Sequence, residues 1–268
     1  MIYLLNLFLP FFVLIVILYF LSNYLNNLVA SSLPQWLYLF FMWPGVIVHE
    51  FSHYLGCIIT FTKIKKLELF RPRSSEGRLV LGQVAHEYTR NPIKKLIVSI
   101  APLFGVSLVI WLLVKFLLPA VYSQQIKAIN LSLGDFSSLR AFWQAGIFYL
   151  QSYLNYFFEL FRNLDFADWR VYIFFYLMLS LGSHAAPSKT DLKHAFQGLG
   201  IILVVFVFLY FILAFFSLSS VWQIFSFLIL PIHWLNFILG YGIVFTFLML
   251  ILVWFLSGLF RLVNHFAR

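Results

Sequence analysis

Long apolar stretches separated by short polar ones set the pattern of this chain. A run of about 18 or more apolar residues is long enough for an α-helix to cross a bilayer. The pattern predicts an all-α polytopic membrane protein with about six transmembrane helices. The helices are expected at about Ile2–Leu21, Gln35–Thr62, Ile93–Leu118, Trp169–Ser183 and Leu192–Phe216, with one or two more within Val221–Leu262.

One polar insert, Lys63–Lys95, interrupts the apolar pattern. It holds nine of the 18 Lys and Arg residues, and such clusters favour the cytoplasmic side of a membrane. Both chain termini are then expected in the cytoplasm. Its segments Ile64–Phe70 and Gly77–His86 predict a β-hairpin. The hairpin either offers an edge to an extended substrate or only joins two helices.

The segment Ala120–Asp168 is expected on the external side. Polar residues recur at helical spacing through its aromatic part, which predicts an interfacial amphipathic helix, with a true membrane span as the alternative. The polar positions are Gln144, Gln151, Asn155 and Glu159.

Composition supports a membrane protein with one domain, residues 1–268. The chain is 63% hydrophobic and only 10% charged, with a mean hydropathy of +0.94. Its net charge of +9 therefore indicates membrane topology and anionic lipid headgroups rather than nucleic-acid binding. The single cysteine excludes an intramolecular disulfide. The N-terminus lacks a basic region and a small-residue cleavage site, so a retained first span is expected rather than a signal peptide.

The motif His49-Glu50-Phe51-Ser52-His53 lies inside the second apolar run. On a helix, residues four apart share a face, so both histidines can bind one metal ion while Glu50 serves as a general base. Such a site activates water for attack on a polarised carbonyl. A chance match is the alternative, but ionisable residues without a function are costly inside a membrane.

Two neighbours of the motif are open to two interpretations each. Pro44-Gly45 predicts a kink one turn before His49, which either makes room near the metal or is ordinary for a membrane helix. Cys57 lies on the face of the two histidines. It is either a metal ligand or, as we favour, a small packing residue.

A catalytic zinc site needs three protein ligands and an open position. The fourth span is short, about 22 Å for 15 residues, so the segment after it is expected near the depth of the motif. Asp191 is our preferred third ligand, although Ser188-x-x-Asp191 also fits a helix-capping box. His184 is the alternative ligand, and also suits a helix C-terminus. His194 and His233 are more distant candidates.

The residues from about Trp43 to Gly198 resemble the site-2 protease family of intramembrane zinc metalloproteases, most closely a divergent bacterial branch. The resemblance rests on the motif, the insert behind it, Ser99–Gly105 and Pro187-Ser188-x-x-Asp191. It implies His49, His53 and Asp191 as zinc ligands and Glu50 as the catalytic base. The chain departs from the family in having Asp191-Leu192-Lys193 where the family's aspartate is followed by glycine, and it carries no PDZ-like insert.

These features predict a zinc endopeptidase that cleaves a membrane protein or peptide inside the bilayer of a prokaryotic plasma membrane. Asn91 or Ser99 is expected to help stabilise the oxyanion. A membrane transporter for metal ions or solutes is the alternative from another class. A catalytically inactive membrane-bound relative is the third.

Overall fold

A computed structural model describes residues 2–75, 78–87, 91–122, 157–215 and 229–266, together with residues 144, 147, 151, 154 and 155. The described chain is mainly helical, as predicted. Its long helices are α1 (Ile2–Ser32), α2 (Gln35–Ile59), α3 (Pro92–Leu117), α4 (Trp169–His184), α5 (Lys189–Phe215) and α6 (Ile229–Phe266).

Four short strands replace the two predicted in the insert between α2 and α3. They are β1 (Ile64–Glu68), β2 (Arg73–Ser75), β3 (Arg78–Val80) and β4 (Gln83–His86). Strand β1 pairs antiparallel with β4, and β2 pairs antiparallel with β3. The Arg71 N–H donates to the Leu81 carbonyl between the two ladders. The insert is thus one long hairpin, interrupted where β1 gives way to β2.

Helices α2, α3 and α4 pack against one another, and the other helices pack on them. Helix α5 packs on α3, and α6 packs on α1 and α4. Strands β1 and β4 lie against α2. One buried core, which includes Phe174, Ile110 and Phe245, joins α3, α4 and α6. A second, around Met42 and Leu25, joins α1, α2 and α6.

Many large apolar side chains on the outer faces of the helices remain exposed. Phe20 is 66% exposed, Ile59 68% and Trp254 73%. Large contiguous apolar surfaces are rare on soluble monomers. They are expected on helices that face lipid, so the exposure pattern supports a membrane protein.

Three of the described helical segments are long and apolar enough to cross a membrane. They are Pro10–Ser32 of α1, Pro92–Leu117 of α3 and Trp234–Leu262 of α6. This count does not support the prediction of about six spans. The polar motif lowers the mean hydropathy of α2, and α4 has only 16 residues. At 1.5 Å per residue, α4 is about 24 Å long, less than the roughly 30 Å of the hydrocarbon core.

Most of the predicted external helix lies outside the described residues. Its polar positions Gln144, Gln151, Asn155 and Glu159 are helical and exposed. Residues 157–162 form a helical turn, in which Leu160 is fully buried in the core shared with α3 and α4. The polar stripe and the buried leucine fit an amphipathic helix, and its place at a membrane interface stays a prediction.

Candidate metal centre

Two histidines and one aspartate come together midway along α2. Among the residues that the structure describes, His49, His53 and Asp191 form a group whose potential ligand atoms all lie within 4.8 Å of one another. Asp191 Oδ1 is 3.4 Å from His53 Nε2, and Asp191 Oδ2 is 3.8 Å from His49 Nε2. The three side chains are only 10–12% exposed. The group is therefore largely shielded from solvent.

The helical spacing of the motif places both imidazole rings on one face of α2. Their centroids are 5.0 Å apart. His49 Nδ1 donates to the His184 carbonyl and His53 Nδ1 to the Val98 carbonyl, each at 2.8 Å. A carbonyl oxygen only accepts hydrogen bonds, so both Nδ1 atoms carry the proton. In the neutral form of each ring, the Nε2 lone pair faces Asp191.

That tautomer is the one used by histidines that bind metal ions. A ligating imidazole typically donates its other N–H to a carbonyl or carboxylate, which fixes the ring and raises its basicity. Here α4 supplies one carbonyl and α3 the other. In that form two lone pairs and a carboxylate face one another, an arrangement that a cation at their centre would stabilise.

Asp191 is positioned by the start of α5. Its Oδ2 accepts a hydrogen bond from the Ser188 N–H at 2.9 Å, and its own N–H donates to Ser188 Oγ at 3.1 Å. This reciprocal pair is the capping arrangement expected from Ser188-x-x-Asp191. The cap orients the carboxylate towards α2, and its Oδ1 is the oxygen nearer to His53. The capping and ligand interpretations of Asp191 are therefore compatible.

The separations fit a metal ion of the size of zinc. Zinc lies about 2.0–2.2 Å from histidine nitrogen and carboxylate oxygen, so tetrahedral ligand atoms are roughly 3.3–3.6 Å apart. The observed distances of 3.4 and 3.8 Å from the carboxylate to the two rings are close to that range. The two distances run to different carboxylate oxygens, and all potential ligand atoms lie within 4.8 Å of one another, so the donor set could hold a metal ion once these atoms move closer together.

Glu50 lies outside the ligand group and faces the hairpin. A Cβ built on Gly82 would lie 2.8 Å from Glu50 Cγ and 3.0 Å from Val46 Cγ1. The backbone of Val84 also interacts with the Glu50 carboxyl group. The residues just before and within β4 thus cover one side of the Glu50 side chain, which is predicted to be the base. Only a glycine leaves room at position 82 without displacing it.

The other predicted candidates have different surroundings. His184 Nδ1 donates to the Ser180 carbonyl at 2.8 Å, and His184 is not part of the group of potential ligands. Cys57 is fully buried and also lies outside this group, which fits a packing role. His194 lies one turn after Asp191 on α5 and is likewise outside the group, whereas the side chain of His233 is not described.

Of the two residues predicted to stabilise the oxyanion, Asn91 caps α3 by accepting from the Ile93 and Lys94 N–H groups. Ser99 is buried.

Sequence reasoning missed the backbone carbonyls of Val98 and His184 that orient the two rings. It also missed the contribution of Tyr176 and Ser180, which bind α2 one to two turns before His49. Every residue has a carbonyl group, so no sequence pattern signals the first two. Pro44 is the sequence signal for the Tyr176 contact, since a proline inside a helix leaves the carbonyl four residues earlier without its usual donor.

Comparison of this chain with protein-family models, with curated proteins and with solved structures gives no match. The functional conclusion rests on the residues and on their geometry. On these grounds, the chain is a predominantly helical membrane protein in which His49, His53 and Asp191 could hold a metal ion.

Proposed function

We propose that this protein is an intramembrane zinc metalloprotease that hydrolyses peptide bonds of membrane-embedded substrates. The grouping of His49, His53 and Asp191 midway along an apolar helix, with Glu50 beside them, carries this proposal. Ionisable residues at such a depth are expensive unless they perform a function. The resemblance to the site-2 protease family points to the same reaction.

The donor set favours zinc as the metal. Two imidazoles and one carboxylate, with a fourth position left for water or substrate, are typical of catalytic zinc in hydrolases. Bound zinc would supply Lewis-acid polarisation of the substrate carbonyl and would lower the pKa of water. The carbonyls of Val98 and His184 would keep both rings in the tautomer that this ion requires.

Glu50 is assigned the role of general base. Its carboxylate takes a proton from the attacking water and returns it to the amine that leaves. General acid–base groups of this kind contribute about 10²–10⁴ in rate. The neighbouring hairpin covers Glu50 on one side, and its edge can align an extended segment of substrate beside the site.

The proposed membrane arrangement has six spans. Helices α2, α4 and α5 join the three that meet the criteria of length and apolarity, because they pack on them and enclose the motif. The basic hairpin and both termini lie on the cytoplasmic side of a prokaryotic plasma membrane.

A metal-ion or solute transporter is less well supported. A transport pathway needs polar groups on several helices. Helices α1, α3 and α6 contain no aspartate or glutamate. The group therefore resembles an enclosed metal site rather than one of several binding sites along a transport pathway.

The test compares membranes from cells that express wild-type protein, Glu50→Gln or Glu87→Gln. Glu87 is an exposed acid just after β4 and serves as the matched control. Labelling of new protein N-termini should detect fragments cut within apolar segments in the wild type and in Glu87→Gln. Glu50→Gln should reduce them by about 100-fold or more. Equal fragment levels in all three samples would refute the proposal.

A further inference from the structure

The backbone of α2 lacks a normal helical hydrogen bond just before the metal centre. Pro44 has no N–H, so the Phe40 carbonyl, four residues earlier, lacks its usual helical donor. Inside a bilayer, an unsatisfied backbone group is costly because no water can replace the partner. Another part of the protein has to supply the missing donor.

Helix α4 supplies it. The Tyr176 hydroxyl donates to the Phe40 carbonyl at 2.8 Å. The same hydroxyl accepts a hydrogen bond from Trp43 Nε1, also at 2.8 Å. One turn later on α4, Ser180 Oγ accepts from the Gly45 N–H at 2.8 Å, in a fully buried position. Both sides of the proline are therefore bonded to α4.

A third contact continues the series to the metal centre. His184 lies one turn after Ser180, and its carbonyl accepts the hydrogen bond from His49 Nδ1. Tyr176, Ser180 and His184, which we call the α4 stripe, thus meet Phe40, Gly45 and His49 in register. Successive members are four residues apart on α4, which keeps them on one face.

Gly45 makes the close approach of the two helices possible. A Cβ at this position would lie 2.6 Å from the Ser180 carbonyl oxygen and 2.8 Å from His184 Cγ. Helix α4 consequently sits directly on the α2 backbone, one turn before His49. A displacement of α4 at Ser180 would be transmitted to the carbonyl that holds the His49 ring.

From this geometry we infer that Tyr176 and Ser180 are positioning residues for the metal centre. They fix the interrupted segment of α2 to α4, and the His184 carbonyl then sets the orientation of His49 Nε2. The inference rests on the proposed metal centre. It adds that the metal affinity and the ligand geometry of the centre depend on two hydroxyl groups that contact neither the metal nor the substrate.

Co²⁺ binding to the purified full-length protein tests this, because visible absorption bands of Co²⁺ report ligand geometry. Tyr176→Phe and Ser180→Ala should each bind Co²⁺ about 10-fold or more weakly, with altered band positions. Ser180→Thr retains a hydroxyl and should restore both properties. Tyr172→Phe is the matched control, since that hydroxyl, near the start of α4, donates to the carbonyl of Phe166, which precedes the helix.

The outcomes separate the inference from the proposed function. Tyr176→Phe and Ser180→Ala with wild-type affinity and spectrum would overturn the inference and leave the metal centre intact. The same change in Tyr172→Phe would also overturn it, because the effect would then be general to α4. Failure of the wild-type protein to bind Co²⁺ would refute the metal centre itself, and the inference with it.

Discussion

The residues of the candidate centre are recognisable from sequence because they are polar within apolar surroundings. His49, Glu50 and His53 have the spacing of a metal site, and the place of Asp191 after a short apolar segment predicts it as the third ligand. The structure brings Asp191 to within 3.4 Å of His53. What the sequence could not reveal is the orientation of the rings, because it depends on carbonyls from two other helices.

The close approach of Gly82 to Glu50 predicts the effect of a single substitution. Gly82→Ala would push a methyl group against Glu50 Cγ, 2.8 Å away. Peptide hydrolysis should fall by about 10-fold or more, since a displacement of the order of 1 Å can cost 100-fold. Metal content should stay unchanged, because Glu50 is not a ligand.

Gly200→Ala provides the control, since among the described residues no atom outside its own stretch of helix lies within 4 Å of a Cβ at that position. Hydrolysis assays and elemental analysis of both variants check the prediction. Full activity in Gly82→Ala would show that the hairpin does not hold Glu50 in place.

At the scale of elements, the hairpin was predicted in outline but not in detail. Alternation and turn residues indicate two strands, yet the chain forms two separate ladders with an irregularity between Ile64 and Lys66. A cluster of charges lies beside this division. Lys66 and Arg71 each approach Glu68 Oε1 at 3.0 Å, and Arg73 pairs with Oε2. Sequence shows only the excess of basic residues, not their convergence on one acid.

This cluster predicts a pH-dependent stability of the hairpin. Lys66, followed by Arg73 and Arg71, holds the pKa of Glu68 below its usual value, although burial acts in the opposite direction. The ionised form is therefore favoured by folding. Its contribution is fully present above the unfolded pKa of about 4.3 and is lost as the pH falls towards the lower folded value.

Glu68→Gln should accordingly make the hairpin more sensitive to proteolysis at pH 7. The difference from wild type should shrink as the pH is lowered below about 4. Limited proteolysis over a pH series, with an acid-stable protease at the low end, measures this. An equal difference at every pH would contradict an electrostatic origin.

The proline interruption of α2 predicts coupling between α2 and α4. Pro44→Ala restores an N–H that can bond to the Phe40 carbonyl. Tyr176→Phe should destabilise the wild type by about 1–3 kcal/mol because it leaves that carbonyl unsatisfied. In the Pro44→Ala background, Tyr176→Phe should lower the free energy of unfolding by a smaller amount. Thermal unfolding of the four proteins gives the coupling energy, and additive effects would contradict the role assigned to Tyr176.

For the whole molecule, hydropathy predicts the helical class. It also predicts more membrane spans than the length and apolarity of the described helices support. The polar residues of the motif lower the mean hydropathy of α2, and α4 has only 16 residues. Helices α2 and α4, which depart from the pattern of a membrane span, contribute to the candidate site together with α3 and α5. Tertiary packing, which no single segment encodes, determines where they lie.

Orientation in the membrane is testable with a single introduced cysteine. Lys65 is exposed on β1, whereas the native Cys57 is fully buried and should not react. Lys65→Cys should react with a membrane-impermeant maleimide only after cells are opened, since the basic hairpin is expected in the cytoplasm. Wild-type protein is the control for Cys57. Labelling of Lys65→Cys in intact cells would reverse the proposed topology.

The metal content of purified protein tests most directly whether His49, His53 and Asp191 hold one zinc ion, as proposed. Elemental analysis should find about one zinc per chain in the wild type, since one three-ligand site is proposed. Asp191→Ala should lose the metal. His184→Ala should keep it, because its backbone carbonyl still orients His49. A wild-type protein without zinc, or an Asp191→Ala variant that retains it, would contradict the claim.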